Sequence, residues 1–299
     1  MAKLTTVRVL LAIAVNKGWQ LTQMNVNNAF LFGELDHVIF MDQPRDASLF
    51  VKKIGDKVVV VLAYVDDLII TRDLDDEIAQ LKANLCVRFR MKDLGNPVRF
   101  LGLELAYNGN EVILHQTKYA SDMLHKFGMI SCKASPTPIE SGVKLYSHVG
   151  RELEDPTVYR KMAGSLIYLT LTRPDVAFAV GVLSRYMQDP RKPRYLAILR
   201  VLRYMKGTMG KGVMFKREQH SKLMGLCDVD YAGDLNERRS TTGYVFMYGS
   251  NPISWCSKRQ PTVSLSTTEA EYRAATMAAQ ECMWLTQLFK DLNDLFHME

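Results

Sequence analysis

Two adjacent carboxylates, Asp66 and Asp67, stand between two apolar runs. Val58, Val59, Val60, Val61, Leu62, Ala63, Tyr64 and Val65 precede them, β-branched and nearly uninterrupted, which reads as a buried strand over 57–65. Leu68, Ile69, Ile70 and Thr71 follow and read as its return strand. A hairpin that tips two carboxylates out of an apolar sheet concentrates negative charge at one edge. Two hard oxygen ligands there suit a Mg²⁺ that keeps phosphate and water in its other positions. Acidic residues also favour turns for local reasons, and the pair alone does not choose between the readings. A second set of carboxylates lies far along the chain. Asp228 closes a predicted strand, Asp230 projects to the same side two residues on, and Glu271 sits on a predicted helix.

These groups need elements to place them. Val7, Leu10, Leu11 and Ala14 recur at helical spacing, predicting a helix over 4–17. Strands are expected over 19–26 and 38–41. A helix with the stripe Ile78, Leu81, Leu85 and Phe89 should follow the hairpin, its start crowded by Asp73, Asp75, Asp76 and Glu77 as suits a helix N-terminus. A strand pair over 98–106 and 112–115 should turn at Asn108-Gly109-Asn110. Residues 131–152 read as a connecting loop, followed by helices over 155–171, 174–188 and 193–206. From Pro190 to Arg217 there are nine Lys or Arg and no Asp or Glu. Such a stretch either grips a nucleic-acid backbone or is a solvated basic face. Strands over 223–228, 243–248 and 252–255 precede a helix over 267–296. Ser266 with Glu269 is a capping box, which gives Glu269 a structural job. Glu271 shares a helical face with the small residues Ala274, Ala275, Ala278 and Cys282, so it should lie close against the strand end at Asp228.

A length of 299 residues suggests about two domains, and 47% hydrophobic with 23% charged residues allows a core in each. A net charge of +6 permits a polyanionic partner without demanding one. No apolar run reaches the length of a membrane-spanning helix, and the N-terminus lacks a long signal core. Five scattered cysteines, odd in number and without a C-x-x-C pair, argue against a disulfide framework and against a zinc module.

In its wider pattern the sequence resembles the Pol polyproteins of copia-type retrotransposons. Tyr64-Val65-Asp66-Asp67 resembles the active-site hairpin of reverse transcriptases, and the stretch from Gln23 to Leu31 resembles the first palm strand and its turn. Met91-Lys92-Asp93-Leu94-Gly95 with Phe100-Leu101-Gly102 resembles the segment after the hairpin. Thr172-Arg173-Pro174-Asp175 and Leu202-Arg203-Tyr204-Met205-Lys206-Gly207-Thr208 resemble the connection region. Arg238-Arg239-Ser240-Thr241-Thr242-Gly243-Tyr244 and Ser266-Thr267-Thr268-Glu269-Ala270-Glu271-Tyr272 resemble the ribonuclease H domain.

The resemblance implies an α+β fold in three parts. These are a partial reverse-transcriptase palm over 1–130, a helical connection or thumb-like region over 131–221, and the N-terminal part of a ribonuclease H-like α/β domain over 222–299. It implies Asp66, Asp67, Asp228 and Glu271 as catalytic positions and Asp66, Asp67, Asp228, Asp230 and Glu271 as ligands of Mg²⁺. It further implies an RNA or DNA template-primer or hybrid as partner, met by Arg200, Arg203 and Lys206, other parts of the polyprotein as companions, no membrane, and a cytoplasmic or nuclear rather than secreted setting.

Three departures predict a defective copy. Asn25 stands where the family has a palm aspartate, which removes a full negative charge. After Met41-Asp42-Gln43-Pro44 the chain passes almost directly to Asp46-Ala47-Ser48-Leu49-Phe50, where the family carries some tens of residues, so a deletion or a misplaced intron is expected. The abrupt start and the end at Glu299 suggest a truncated frame that omits the last ribonuclease H ligands. An RNA-directed DNA polymerase with ribonuclease H therefore competes with an inactive remnant that binds nucleic acid. A metal-dependent nuclease using Asp228, Asp230 and Glu271 is the third reading.

Overall fold

The computed structural model describes residues 3–26, 46, 48–54, 57–72, 75–89, 91–140, 142, 145–219 and 221–292. Helix α1 (Leu4–Lys17) is apolar nearly all round, and every residue from Thr6 to Val15 is buried. Gly18 ends it in the left-handed conformation, its N–H donating to the Val15 carbonyl.

The first sheet contains β1 (Leu21–Val26), β2 (Leu49–Ile54), β3 (Lys57–Tyr64), β4 (Asp67–Arg72) and, after α2 (Asp75–Phe89), β5 (Met91–Gly95). Its order is β2-β3-β4-β1-β5, antiparallel throughout. The unbroken valine run of β3 has a physical reason, since both faces of this sheet are covered. Val58, Val60 and Leu62 point into the core that holds α1, while Val59 packs with Met24, Ile70 and Met91 under Leu81, Leu85 and Phe89 of α2. The strand expected over 38–41, the residue Asp73 and the side chains of Asp75, Asp76 and Glu77 lie outside the described residues.

The second sheet corrects one expectation. The stretch 98–106 is not a single strand: β6 (Arg99–Phe100) and β7 (Leu103–Asn108) are separated by a tight turn in which Leu101 and Gly102 both have positive φ, 56° and 75°. The sheet continues with β8 (Glu111–His115) and runs β6-β7-β8-β9, where β9 (Val213–Phe215) arrives from far along the chain. The turn is pinned by Tyr168, whose hydroxyl donates to the Leu101 carbonyl at 3.1 Å, and a Cβ on residue 102 would collide with that hydroxyl. Gly102→Ala is therefore expected to cost about 1–3 kcal/mol through backbone strain and the displaced tyrosine. Chemical denaturation checks it, and an unchanged midpoint would contradict this reading of the Phe100-Leu101-Gly102 motif.

A helical body follows: α3 (Thr117–Lys126), α4 (Pro156–Leu169), a 3₁₀ turn (Pro174–Val176) leading into α5 (Ala177–Ser184), and α6 (Lys192–Gly207). Its separate core includes Leu124, Tyr159, Leu166, Leu183 and Leu202. Helix α3, which the periodicity did not reveal, packs here.

The third sheet is β10 (Leu223–Asp230), β11 (Thr241–Tyr248) and β12 (Asn251–Arg259), antiparallel in that order, with α7 (Thr267–Asp291) against one face. Arg8 of α1 ties the opposite face to the first sheet. Its guanidinium stacks 3.8 Å over Trp255 and donates to the Ile253 carbonyl at 2.9 Å. Burial pushes its pKa down to about 10 against the opposing pull of Glu281. Among the described residues no helix is long and apolar enough to cross a membrane.

Candidate active site

The hairpin turns through Val65 and Asp66, with Tyr64 paired to Asp67. Val65 has φ 53° and is 67% exposed. A β-branched residue in the left-handed region is strained, and positive φ at the first of two turn residues is the sign pattern of a type II′ hairpin. The strand that flanks β4 on its other side is β1, in a register that sets Asn25 directly abreast of Asp67. The Val26 N–H donates to the Asp66 carbonyl at 2.8 Å and locks that register.

Asn25 thus meets both carboxylates. Its Nδ2 donates to Asp67 Oδ1 at 3.1 Å and to Asp66 Oδ2 at 3.4 Å, while Gln23 Nε2 donates to the same Asp67 oxygen at 3.1 Å. Amide N–H groups of Asn25 and Gln23 thus face one oxygen of each carboxylate. Two carboxylates faced by two donor amides do not fit a two-ion centre, which needs several oxygen ligands turned toward the ions.

The other predicted carboxylates are arranged differently. Val229 packs against Ala270 and Ala274 of α7, so strand alternation sends Asp228 and Asp230 to the opposite face of the sheet. Helix α7 buries Ala270, Ala274 and Ala278, and Glu271 lies exposed beside that stripe, as does Ala275. This packing sets α7 on the face of β10 opposite the Asp228 side chain. Among the described residues no group of three or more His, Cys, Asp or Glu is placed to hold a metal ion. Glu269 does cap its helix: the Glu269 N–H donates to Ser266 Oγ at 3.1 Å, and its carboxylate accepts from the Leu265 N–H at 2.8 Å. That bond and the Arg273 side chain hold the Glu269 carboxyl below its ordinary value.

The basic stretch is partly neutralised. Arg194 is buried, Arg191 pairs with Asp189 and Glu152, and Lys216 lies 4.0 Å from Glu218. Arg200 donates to Thr137 at 3.0 Å and pairs with Glu140 at 3.5 Å. Arg203 and Lys206 are half-buried on α6.

Two polar clasps draw in partners from distant parts of the chain. Arg173, 3% exposed, forms two bonds to Asp175, at 2.9 and 2.6 Å, and also donates to the Thr208 carbonyl and hydroxyl. Tyr204 completes it with a 2.8 Å bond to Asp175. The second is Asp234, buried between Arg259 at 2.6 Å and Arg185 at 3.6 Å, which joins α5 to the third sheet. Burial raises the Asp234 carboxyl, but Arg259 and the N–H groups of Asn236 and Glu237 outweigh it and hold the group below the usual carboxylate range.

Comparison with known proteins decides the ancestry of this arrangement. The profile of reverse transcriptase (RNA-dependent DNA polymerase) matches residues 1–48 and 45–141. The Retrovirus-related Pol polyprotein from transposon RE1 of Arabidopsis thaliana is 34% identical across 97% of the chain. This chain belongs to the copia-type retrotransposon Pol polyproteins. The corresponding polyprotein from transposon TNT 1-94 of Nicotiana tabacum is 32% identical, again across 97% of the chain, and covers 26% of that protein. The uncharacterized mitochondrial protein AtMg00810 of Arabidopsis thaliana is 41% identical over 75% of this chain and 93% of its own length. The chain spans 23% of the RE1 polyprotein's length. No solved structure matches it. The alignment with the RE1 polyprotein runs over 336 positions, so roughly 46 of them have no counterpart here. The two profile segments meet at residues 45–48, the point at which the sequence passes abruptly from one motif to the next.

Proposed function

We propose that this chain is a reverse-transcriptase-derived fragment that keeps the palm strands around Asp66 and Asp67 without performing polymerase chemistry. The observation that carries this reading is the Asn25 amide donating to both carboxylates. In an active palm a third carboxylate at that position would share a divalent ion with the pair. Here the donor set opposes one, and we derive no step through Mg²⁺. The roughly 46 unmatched positions of the RE1 alignment and the junction of the two profile segments at residues 45–48 add to this reading, since both point to lost palm sequence. Residues 1–130 are the palm-derived part, 131–221 the connection, and 222–299 the start of a ribonuclease H-like domain. Strand–strand–strand–helix order and the motifs around Arg239 and Glu271 support the last assignment. Asp228, Asp230 and Glu271 are its ancestral site positions, and their placement on opposite faces of the sheet argues against cleavage of an RNA–DNA hybrid. A primer-extension assay tests the main claim.

The chain retains weak, sequence-independent affinity for single-stranded nucleic acid through α6. Arg203 and Lys206 are the principal phosphate contacts, with Arg200 contributing once it leaves Glu140. Three such contacts give a slope of roughly −2 in log affinity against log salt. Charge reversal at Arg203 and Lys206 together should lower affinity about tenfold at low salt and flatten that slope. A filter-binding series that shows neither change would remove α6 from the interface.

A further inference from the structure

A cavity of about 470 Å³ opens where the end of α1 and the start of β1 meet the β7–β8 turn and the segment after β9. That volume suits a ligand of small-molecule size. Leu21 lines it, whereas Asn25 meets the hairpin four strand residues on, roughly 13 Å away at the ordinary rise per residue. The cavity is therefore a separate place from the carboxylate pair. Its walls come from residues 14–21, 96, 107–112 and 217, away from the junction at residues 45–48.

Trp19 and Tyr107 supply aromatic surface there, and Arg217 supplies a positive charge. Gln20, Asn96 and Asn110 supply amides, and no Asp or Glu is among the described residues that line it. The Tyr107 hydroxyl donates to the Pro97 carbonyl at 2.8 Å, which fixes the ring although the residue is 41% exposed. Burial of the phenol pushes its pKa up to about 12, so it stays neutral. Gly109 has φ 58° at the first turn position, as a type II′ hairpin requires, and this tight turn presents Asn110. Arg217 Nη1 lies beside Gly18, 3.7 Å from where a Cβ on that residue would stand. Among the described residues, Arg217, the Trp19 indole N–H and the three side-chain amides have no hydrogen-bond or ion-pair partner. The polar groups around this cavity are thus uncommitted.

We propose that the cavity binds a purine nucleotide, its base against Trp19 and Tyr107 and its phosphate on Arg217. Aromatic side chains accept the π-face of a base, and a guanidinium matches a phosphate through paired N–H donors. A side-chain amide presents a donor beside an acceptor, the complement of adenine's own edge, so adenine is the base that fits. With no carboxylate among the described lining residues, nothing there repels the phosphate. The nucleotide is either free or one unit of a single strand. This site goes beyond the α6 contact and does not rest on it.

Equilibrium dialysis of the full chain against AMP, adenosine and a short oligodeoxyadenylate tests this, with tryptophan fluorescence followed alongside. The expected result is saturable binding of one AMP per chain, with a quench that Trp19→Phe removes. Arg217→Gln, at an exposed position, should lower AMP affinity about tenfold, to the level of adenosine, with unchanged circular dichroism. Tyr107→Leu should weaken AMP and adenosine alike by about tenfold, since it removes stacking surface and leaves the charge. AMP bound as tightly as the oligonucleotide identifies a free nucleotide as the ligand. An oligonucleotide bound well above AMP, and weakened by Arg217→Gln, identifies a strand. No AMP binding, or AMP binding indifferent to Arg217→Gln and Tyr107→Leu, would overturn the proposal. Oligonucleotide binding that ignores both variants and falls on charge reversal at Arg203 and Lys206 would belong to α6 and exclude the cavity as a strand site.

Discussion

Purified protein given a primed RNA template, deoxynucleotides and Mg²⁺ or Mn²⁺ will show no template-dependent primer extension above background. A bound divalent ion contributes several kcal/mol of charge stabilisation to phosphoryl transfer, so an uncommitted site forfeits on the order of 10³-fold or more in rate. Asn25 is the decisive residue, because its N–H groups point at the oxygens that would bind the ion. Asn25→Asp should leave extension undetectable, since the sequence missing near residue 45 is not restored by it. The same variant should nevertheless change the ion response. A third carboxylate abreast of Asp67 repels the pair, so the variant should melt below the parent in EDTA and rise on adding Mg²⁺. The parent should respond little. Robust extension by the unmodified chain, abolished by Asp66→Ala, would refute this account.

Asp175→Ala will destabilise the protein by about 3–5 kcal/mol, because it strands the charge of a nearly fully buried arginine. Arg173 would keep its bonds to Thr208 but lose both carboxylate contacts, and Tyr204 would lose its acceptor. The melting temperature should fall by on the order of 6–10 °C. Arg173→Met together with Asp175→Ala should recover part of the loss, since the double variant buries no unpaired charge. Acid should reproduce the single variant's effect. Burial raises the Asp175 carboxyl, yet the bonds from Arg173 and Tyr204 outweigh it and leave the folded-state pKa below the ordinary value. The clasp's contribution is therefore complete above the unfolded carboxylate pKa, near 4, and is lost as pH falls through the lower folded value. Melting curves from pH 7 to strongly acid solution should converge for parent and Asp175→Ala. Equal melting temperatures at pH 7 would show that the Thr172-Arg173-Pro174-Asp175 motif has no structural role.

What the sequence determined by itself is local. Eight apolar residues before Asp66 and three after Asp67 read as a buried strand and its return. Val7, Leu10, Leu11 and Ala14 set α1 by period, and Ser266 with Glu269 set the start of α7. The motifs in family order carried the ancestry. Tertiary structure decided everything that depends on which distant strands meet. That Asn25 lies abreast of Asp67 follows from the β1–β4 register, a non-local pairing that no spacing encodes. Alternation put Asp228 and Asp230 on one side of β10, but only the packing of Val229 on Ala270 and Ala274 shows that α7 and Glu271 lie on the other. The break at Leu101 and Gly102 escaped notice because an apolar run continues through it, and the turn is held by a tyrosine on α4. Arg194 and Arg200 read in one dimension as part of a basic stretch that grips nucleic acid or faces solvent. Folding brought each to a distant acceptor, since a buried or half-buried guanidinium must find hydrogen-bond partners wherever the chain supplies them.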